Sequence, residues 1–226
     1  MACNSKEPFS DSLRASPTMR AARFIAFDGI DGSGKSSQIG AFVDWLTAKG
    51  LRVTTCRDPG STPAGDAIRA ILLDRHDLHL ATTTEMLLYM AARAQLVHDV
   101  IGPALARGEW VVSDRYLLAN VVYQGHAGGL DPEAIRDVGA VATGGLMPDL
   151  ALVLDVDLAT SAARLDRPLD KLENRGDGYR ERLRAGYLAE AAREPGRIRV
   201  VDGAGTVAEV GARIRAAALA RFPELG

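Results

Sequence analysis

The sequence contains little of what would place it in a specialised class of protein. Two cysteines in 226 residues, Cys3 and Cys56, are too few for a disulfide framework or a cysteine-bound metal. The four histidines are not spaced as metal ligands are, and a net charge of −2 gives no general attraction to nucleic acid. No apolar run approaches the roughly 20 residues that a membrane-spanning helix needs. We therefore expect a reduced, cytoplasmic setting and no nucleic-acid or membrane partner.

The first residues also lack a core-forming pattern. Residues 1–18 are polar and irregular, include two prolines, and have no apolar segment of the kind found in a secretory signal. We expect residues 1–20 to be a disordered tail, and Met19 is a second candidate start of translation. The whole chain is 47% hydrophobic and 25% charged, which is typical of globular proteins, so we expect residues 21–226 to form a single domain.

One motif stands out in what is present. Residues 29–36 read Gly-Ile-Asp-Gly-Ser-Gly-Lys-Ser and fit the phosphate-loop pattern of a glycine, four free positions and Gly-Lys-Ser. An apolar run at 24–27 precedes the loop, and apolar residues at helical spacing follow it at 39–46, which argues against a glycine-rich turn that matches by chance. We predict that Lys35 contacts the β- and γ-phosphates of a nucleotide and that Ser36 coordinates Mg²⁺. The predicted ATP-binding residues of the loop are Gly29, Ile30, Asp31, Gly32, Ser33, Gly34, Lys35, Ser36 and Ser37.

Strand and helix patterns alternate along the chain. Predicted strands lie at 24–27, 51–56, 108–113, 150–156 and 198–201. Predicted helices lie at 63–73, from 84 to a bend or end near Pro103, from 117 onward, and at 132–142, 159–165 and 207–219. Strands that alternate with helices in this way form parallel sheets, so we predict an α/β fold with a five-stranded parallel sheet and helices on both faces.

Two pairs of residues indicate ligand contacts. Asp114 and Arg115 end the third predicted strand, where an acid beside a phosphate loop is the usual second anchor of Mg²⁺ and a cation suits a phosphate. An ion pair on the surface is the alternative. Tyr89 and Arg93 lie four residues apart on the long helix, so they share a face that suits a flat heterocycle. An exposed stacking contact is the alternative for this pair.

The segment at 164–184 differs in composition from the rest of the chain. It is dense in charge, is broken by a proline and two glycines, and is poor in core-forming residues. We expect a mobile lid at about 164–180, whose cations close over the triphosphate and exclude water. A solvated pair of helices joined by a loop is the alternative. Tyr187 is expected to return to the core.

Several separated motifs, in order, resemble those of the thymidylate kinase family. The similarity runs from about Arg23 to the C-terminal helix and leaves only the tail uncovered. The motifs are Phe-Asp-Gly-Ile-Asp-Gly-Ser-Gly-Lys-Ser-Ser from 27, Arg-Asp-Pro-Gly-Ser-Thr from 57, Tyr-Met-Ala-Ala-Arg from 89, Asp-Arg-Tyr from 114, Val-Tyr-Gln-Gly from 122, Pro-Asp-Leu from 148 and Arg-Ala-Gly-Tyr-Leu from 184. The phosphate loop alone would indicate only a kinase or another nucleotide-hydrolysing protein.

The resemblance implies a fold of the P-loop nucleoside monophosphate kinase type and transfer of the γ-phosphoryl group of ATP to dTMP, giving dTDP for dTTP biosynthesis. It implies Mg²⁺ held by Ser36 and Asp114, and a homodimer. The implied catalytic residues are Lys35, Asp114, Arg115, Arg164 and Arg167, with Lys171 a further candidate lid cation. Contact of Arg164 with adenine is the alternative to its role at the transition state.

The resemblance also implies an acceptor site. Asp31 matches the acid that meets the sugar 3′-hydroxyl, Asp58 and Arg115 match residues at the acceptor phosphate, Arg69 matches a second phosphate or base-side contact, and Tyr89 matches an aromatic stacked on thymine. Arg93 can only donate and suits the thymine O4, whereas Asn120 can accept from N3–H. Gln124 is expected near the base or the sugar, and Tyr116 is expected to exclude a ribose 2′-hydroxyl.

Some residues depart from the family pattern, and two other functions stay open. Asp28 and Asp58 stand where Glu is common, and Lys171 replaces an Arg that could make a bidentate contact. The leucine-rich stretch at 117–119 replaces a more polar one. The alternatives are a kinase for another nucleotide or deoxynucleoside, and a nucleotide-binding module without turnover. The cations at 57–69 and Arg115 favour an acceptor that already carries phosphate.

Overall fold

A parallel sheet forms the centre of the structure, a computed structural model that describes residues 21–165 and 177–226. The tail predicted at 1–20 and most of the predicted lid lie outside these ranges. In the described part of the chain, the strands are β1 Phe24–Asp28, β2 Val53–Arg57, β3 Trp110–Asp114, β4 Leu150–Asp155 and β5 Ile198–Asp202. All four neighbouring pairs are parallel, which confirms the predicted sheet.

The order of the strands places the phosphate loop at the middle of one sheet edge. The strands run β2-β3-β1-β4-β5, so β1 is the central strand. The chain places β2 and β3 on one side of β1 and then β4 and β5 on the other. Phe27 is in register with Asp114 of β3, and Asp28 is in register with Val153 of β4. The carboxyl ends of these strands therefore meet at the point where the strand order reverses, and open α/β sheets bind their ligands at such a point.

Helices cover both faces of the sheet. The helices in the described ranges are α1 Lys35–Ala48, α2 Pro63–Leu73, α3 Thr82–Leu96, α4 Gly102–Ala106, α5 Leu117–Asn120, α6 Pro132–Thr143, α7 Leu158–Ala163, α8 Asp177–Arg193 and α9 Val207–Arg221. Two π-helical segments, Val97–Ile101 and Val121–His126, continue α3 and α5. No helix in these ranges is both long and apolar enough to span a membrane.

Alternate residues of β1 supply the two halves of the core, as the strand geometry requires. Ile25 and Phe27 pack with Phe42 of α1 and Ile214 of α9 on one face. Phe24 and its neighbours on the other face pack against α3, α5 and the second π-helical segment. The strand is fully buried, which is why its sequence is a continuous apolar run.

The sequence predicts that the long helix bends or ends near Pro103, and its regular part, α3, ends at Leu96. It passes into the π-helical segment at Val97–Ile101, and α4 follows with Pro103 in its first turn. A proline in a first turn removes no helical hydrogen bond, because the first N–H groups of a helix have no partner within it. In the wider π turn, the carbonyl of Val97 lies near Gly102. The π-helical segment therefore leads directly into α4, and the proline does not interrupt the chain of helical turns.

Candidate functional site

The phosphate loop connects the end of β1 to the start of α1. Gly34 caps α1 with a φ of 95°, and Gly32 has a φ of 77°, a left-handed conformation that glycine adopts without strain. A Cβ atom on Gly32 would lie 2.3 Å from the carbonyl oxygen of Ser161 in α7. Glycine is required there because of both the conformation and this close approach.

Lys35 lies at the first position of α1 and points back across the loop. Its Nζ donates to the carbonyl oxygens of Gly29 and Ile30, both at 2.9 Å, and lies 3.7 Å from Asp31 Oδ1. Burial, assisted by the nearby charge of Arg115, lowers the pKa of Lys35 to about 8. A buried ammonium group that is held only by carbonyl oxygens and an acid is suited to bind phosphate oxygens.

A cavity of about 540 Å³ opens over this loop. Its lining includes every loop residue from Asp31 to Ser37, together with the turn after β5 and the N-terminus of α9. Arg164 lies on its rim, where its guanidinium donates to the carbonyl oxygens of Gly203 at 3.0 Å and Gly205 at 3.3 Å. These two contacts fix the direction of the guanidinium, on which a flat base could stack.

Of the two residues expected to hold a metal, Ser36 lines this cavity and Asp114 does not. Ser36 is exposed in the first turn of α1, and Asp114 ends β3 beside β1. The Oδ1 atom of Asp114 is buried without a hydrogen-bond partner in the described residues, and so is the Oδ2 atom of Asp28. Unpaired carboxylate oxygens and a free hydroxyl fit a hard cation such as Mg²⁺ or the water that it carries.

Arg115 links the loop to the second part of the site. Its Nη2 donates to Asp31 Oδ1 at 2.6 Å and to the hydroxyl of Tyr123 at 3.0 Å, and that hydroxyl donates to Asp31 Oδ2 at 3.0 Å. Burial alone would raise the pKa of Asp31, but the charges of Arg115 and Lys35 outweigh it and hold the pKa well below its usual range. Asp31 is therefore ionised and fixes the direction of the guanidinium.

The backbone also holds Arg115 in place. Its φ is 66°, which is uncommon for any residue other than glycine, asparagine or aspartate. The Arg115 N–H donates to Phe27 O at 2.8 Å, and the hydroxyl of Ser113 donates to Arg115 O at 2.7 Å. A residue keeps a left-handed backbone conformation where several surrounding contacts hold it, and such residues cluster at functional sites.

A second, smaller cavity of about 50 Å³ has Arg115 in its lining. Its lining residues are Asp58, Pro59, Tyr89, Arg93, Arg115, Ala119, Asn120, Tyr123 and Gln124. The structure thus brings together most of the residues that the resemblance implies for an acceptor site. The cavity is smaller than a nucleotide, so the side chains around it must move apart when one binds.

Arg93 is paired within the protein more completely than the sequence indicates. It is 1% exposed, and its Nε donates to Asp58 Oδ2 at 2.5 Å. Further donations reach Met90 Sδ and Asn120 Oδ1, both at 3.1 Å, and Tyr116 O at 3.4 Å. These contacts engage all three nitrogens of the guanidinium, because a buried cation must be paired.

The same network includes Asn120 and Gln124. The amide oxygen of Asn120 accepts from Arg93, and its Nδ2 donates to Gln124 Oε1 at 2.7 Å. One of the two lone pairs of this oxygen is therefore engaged, and its contact with thymine N3–H stays a prediction. The Nε2 atom of Gln124, in contrast, is buried without a hydrogen-bond partner in the described part of the chain. Gln124 therefore offers a donor in the cavity.

Tyr116 and Arg69 lie outside the lining of the second cavity. The Tyr116 hydroxyl donates to Leu146 O at 3.0 Å, and its ring packs edge-on against Phe24 in the core. The ring therefore supports β1, and the expected exclusion of a ribose 2′-hydroxyl by Tyr116 stays a prediction. Arg69 is half-buried and donates to Pro59 O at 3.1 Å, so it braces the turn after β2.

The sequence indicates no functional role for two tyrosines of the site. Tyr123 and Tyr187 both contact Arg115, and Tyr187 lies 2% exposed on α8. The motif at 184–188 was the only signal for Tyr187, and it carried no chemistry by itself. Arg167 and Lys171 lie outside the described residues. Residues 177–180, the end of the predicted lid, belong to the first turn of α8.

The fold and the site define a class before any comparison. The central strand leads into a phosphate loop, and a second cavity is lined by Arg115. This is the arrangement of P-loop kinases of the nucleoside monophosphate type. The family model described as thymidylate kinase matches residues 27–214. The chain therefore belongs to the thymidylate kinase family.

Individual relatives agree with this membership. A thymidylate kinase of Cereibacter sphaeroides is 46% identical over 206 residues, covering 88% of this chain and 94% of the relative. One of Rhodopirellula baltica is 43% identical over 194 residues, covering 86% and 79%. The crystal structure of thymidylate kinase from Ehrlichia chaffeensis superposes with a TM-score of 0.72 at 25% identity, covering 88% of this chain and 99% of that one. These matches establish the fold class and an ATP-dependent kinase.

Proposed function

We propose that this protein transfers the γ-phosphoryl group of ATP to dTMP and so produces dTDP for dTTP biosynthesis. The observation that carries the proposal is the contact of Arg115 with Asp31, which joins the phosphate-loop cavity to the second cavity. In-line transfer needs donor and acceptor phosphates end to end, and one cation between two cavities suits that arrangement.

ATP is proposed to bind along the larger cavity. The loop amides and Lys35 hold the β- and γ-phosphates, with the helix N-terminus of α1 adding positive potential. The adenine lies toward Arg164, whose guanidinium is held by the carbonyl oxygens of Gly203 and Gly205. Lys35 must leave its two loop carbonyls as phosphate binds, which exchanges neutral acceptors for anionic ones.

Mg²⁺ is proposed to be held by Ser36 and Asp114, the latter through water. When bound, the ion neutralises charge that develops between the transferred and the leaving phosphates. The unpaired Oδ1 atom of Asp114 supports this assignment, since a buried carboxylate oxygen is otherwise costly to leave without a partner.

The acceptor is proposed to occupy the second cavity. Arg115 faces its phosphate, Tyr89 stacks on the base, and the acid of Asp31 lies near the sugar. Gln124 replaces Arg93 as our candidate for the contact with thymine O4, because the Arg93 nitrogens are already paired whereas Gln124 Nε2 is a donor without a partner in the described residues. Cytosine carries an amino donor at that position and would leave Gln124 facing a like group.

No general base is needed, because the acceptor phosphate is already an anion at neutral pH. Catalysis then consists of positioning and charge neutralisation. We assign the transition-state cations to the lid, with Arg167 the first candidate and Lys171 the next, since Arg164 is already turned toward the base end of the cavity. Asp58 and Arg69 support the acceptor site through the turn that follows β2. We further propose a cytoplasmic homodimer.

An assay that detects ADP separates this function from the alternatives. Purified protein with Mg²⁺ and ATP is offered dTMP, dUMP, dCMP or thymidine, and we expect ADP formation to be fastest with dTMP. Preference for thymidine would indicate a deoxynucleoside kinase, and preference for dCMP would indicate a kinase for another nucleotide. ATP binding without ADP formation with any acceptor would indicate a module without turnover.

A further inference from the structure

Tyr187 contacts both the cation and the buried acid of the site. Its hydroxyl accepts from Arg115 Nη1 at 3.0 Å and donates to Asp28 Oδ1 at 3.3 Å. Both tyrosine and acid are buried, at 2% and 0% exposure. Because the acid fixes the direction of the hydroxyl hydrogen, the lone pairs of the oxygen face the guanidinium.

The contact completes a set of acceptors around Arg115. Asp31 and Tyr123 accept from Nη2, whereas Gly29 O, at 3.2 Å, and Tyr187 accept from Nη1. The acceptors on Nη2 come from the loop and from the second π-helical segment. Of these four acceptors, only Tyr187 comes from α8. With Gly29 O it accepts from Nη1, the nitrogen that Asp31 does not contact.

Helix α8 is itself anchored at the carboxyl edge of the sheet. Arg184 donates to both carboxylate oxygens of Asp155, at 2.7 and 2.8 Å, at the end of β4. The hydroxyl of Tyr179, on the same helix, donates to Tyr123 O at 3.1 Å. A rigid helix therefore presents the Tyr187 hydroxyl at a fixed place, as an effective support for a reacting group requires.

We propose that Tyr187 is a positioning residue for phosphoryl transfer, which holds the Arg115 guanidinium against the acceptor phosphate while Asp28 orients its hydroxyl. The inference rests on the proposed transfer to dTMP. A role in packing alone would need the ring but not the hydroxyl. Tyr187→Phe separates the two, because it keeps the ring and removes only the oxygen.

The test compares Tyr187→Phe with Thr143→Val, which loses a buried hydroxyl that donates to Gly139 O at 2.9 Å within α6, away from Arg115. For Tyr187→Phe we expect kcat/KM for dTMP to fall about tenfold, equivalent to about 1.4 kcal/mol, chiefly through KM. The KM for ATP should change less than twofold, and Thr143→Val should change neither constant more than about twofold. An unchanged KM for dTMP, or an equal loss in both variants, would overturn the proposal.

A double-mutant cycle shows whether Tyr187 acts through Arg115. In an Arg115→Lys background, Tyr187→Phe should lower kcat/KM for dTMP less than twofold further, since the fork it positions is gone. Full additivity of the two losses would contradict the inference. Should Tyr187→Phe not fold, Asp28→Ala replaces it and should raise the KM for dTMP at least threefold. Absence of dTMP turnover in the unmodified protein would refute the proposed function instead.

Discussion

Asp28 is the most deeply buried acid of the site, and replacing it with asparagine tests the electrostatics directly. Its carboxyl group is fully buried, with one oxygen accepting from Tyr187 and the other unpaired in the described residues. Burial raises its pKa to about 7 from a usual value of 3.8, although Arg115 and Lys35 oppose the shift. The folded protein therefore retains a proton that the unfolded chain loses between these two values.

The sign of the effect follows from this difference in bound protons. Where the folded state binds more protons, the free energy of unfolding falls as the pH rises, and the loss is complete above the folded pKa. A shift from 3.8 to about 7 corresponds to roughly 4 kcal/mol at high pH, of which about 3 kcal/mol arises between pH 4.5 and pH 8. An asparagine side chain carries no such charge, so Asp28→Asn removes this part of the pH dependence.

Urea unfolding of the protein and of Asp28→Asn across this pH range measures the difference. We expect the variant to gain about 3 kcal/mol relative to the parent between pH 4.5 and pH 8, whatever the constant offset from its buried amide. Asp44→Asn, which changes an exposed acid on α1, is the matched control and should keep the parent's profile. A difference between Asp28→Asn and the parent that does not change with pH would refute the reasoning about burial.

Three further predictions use other residues. Lys35→Ala should lower kcat about a hundredfold or more with the fold intact, measured by ADP release and circular dichroism, because it removes a transition-state donor. Arg93→Ala should lower the free energy of unfolding by about 3–5 kcal/mol in urea, since it leaves the buried Asp58 carboxylate unpaired. Thr62→Ala should cost about 1–2 kcal/mol in thermal unfolding, because the Thr62 hydroxyl caps α2 by accepting from Gly65 N–H at 2.9 Å. Normal stability of Arg93→Ala would contradict the importance of its ion pair.

Much of the fold follows from local patterns in the sequence. The apolar run of β1, the glycines of the loop and the proline at the start of α2 each act on the chain within a few residues, so their structure is readable from the sequence. The full course of the long helix was not readable. Pro103 indicates a bend or end near it, but no spacing in the sequence indicates the π-helical segment at Val97–Ile101.

The sequence predicts which residues belong to the candidate site better than it predicts the contacts between them. Residues that follow strand ends, such as Asp31 after β1 and Arg115 after β3, meet because parallel strands end at one edge. The pairing of Arg93 with Asp58 and Asn120 joins three distant segments, and no spacing in the sequence records it. Tyr187 has the burial of a core residue, and only its hydroxyl contact reveals a second role.

Transfer of labelled phosphate tests the central claim most directly. Protein is incubated with Mg²⁺, dTMP and ATP labelled in the γ-phosphate, and the nucleotides are separated by chromatography, with Lys35→Ala as the control. Our account predicts that the label moves to dTDP, and that the control forms about a hundredfold less in the same time. Label released as inorganic phosphate while dTMP stays unmodified would contradict it.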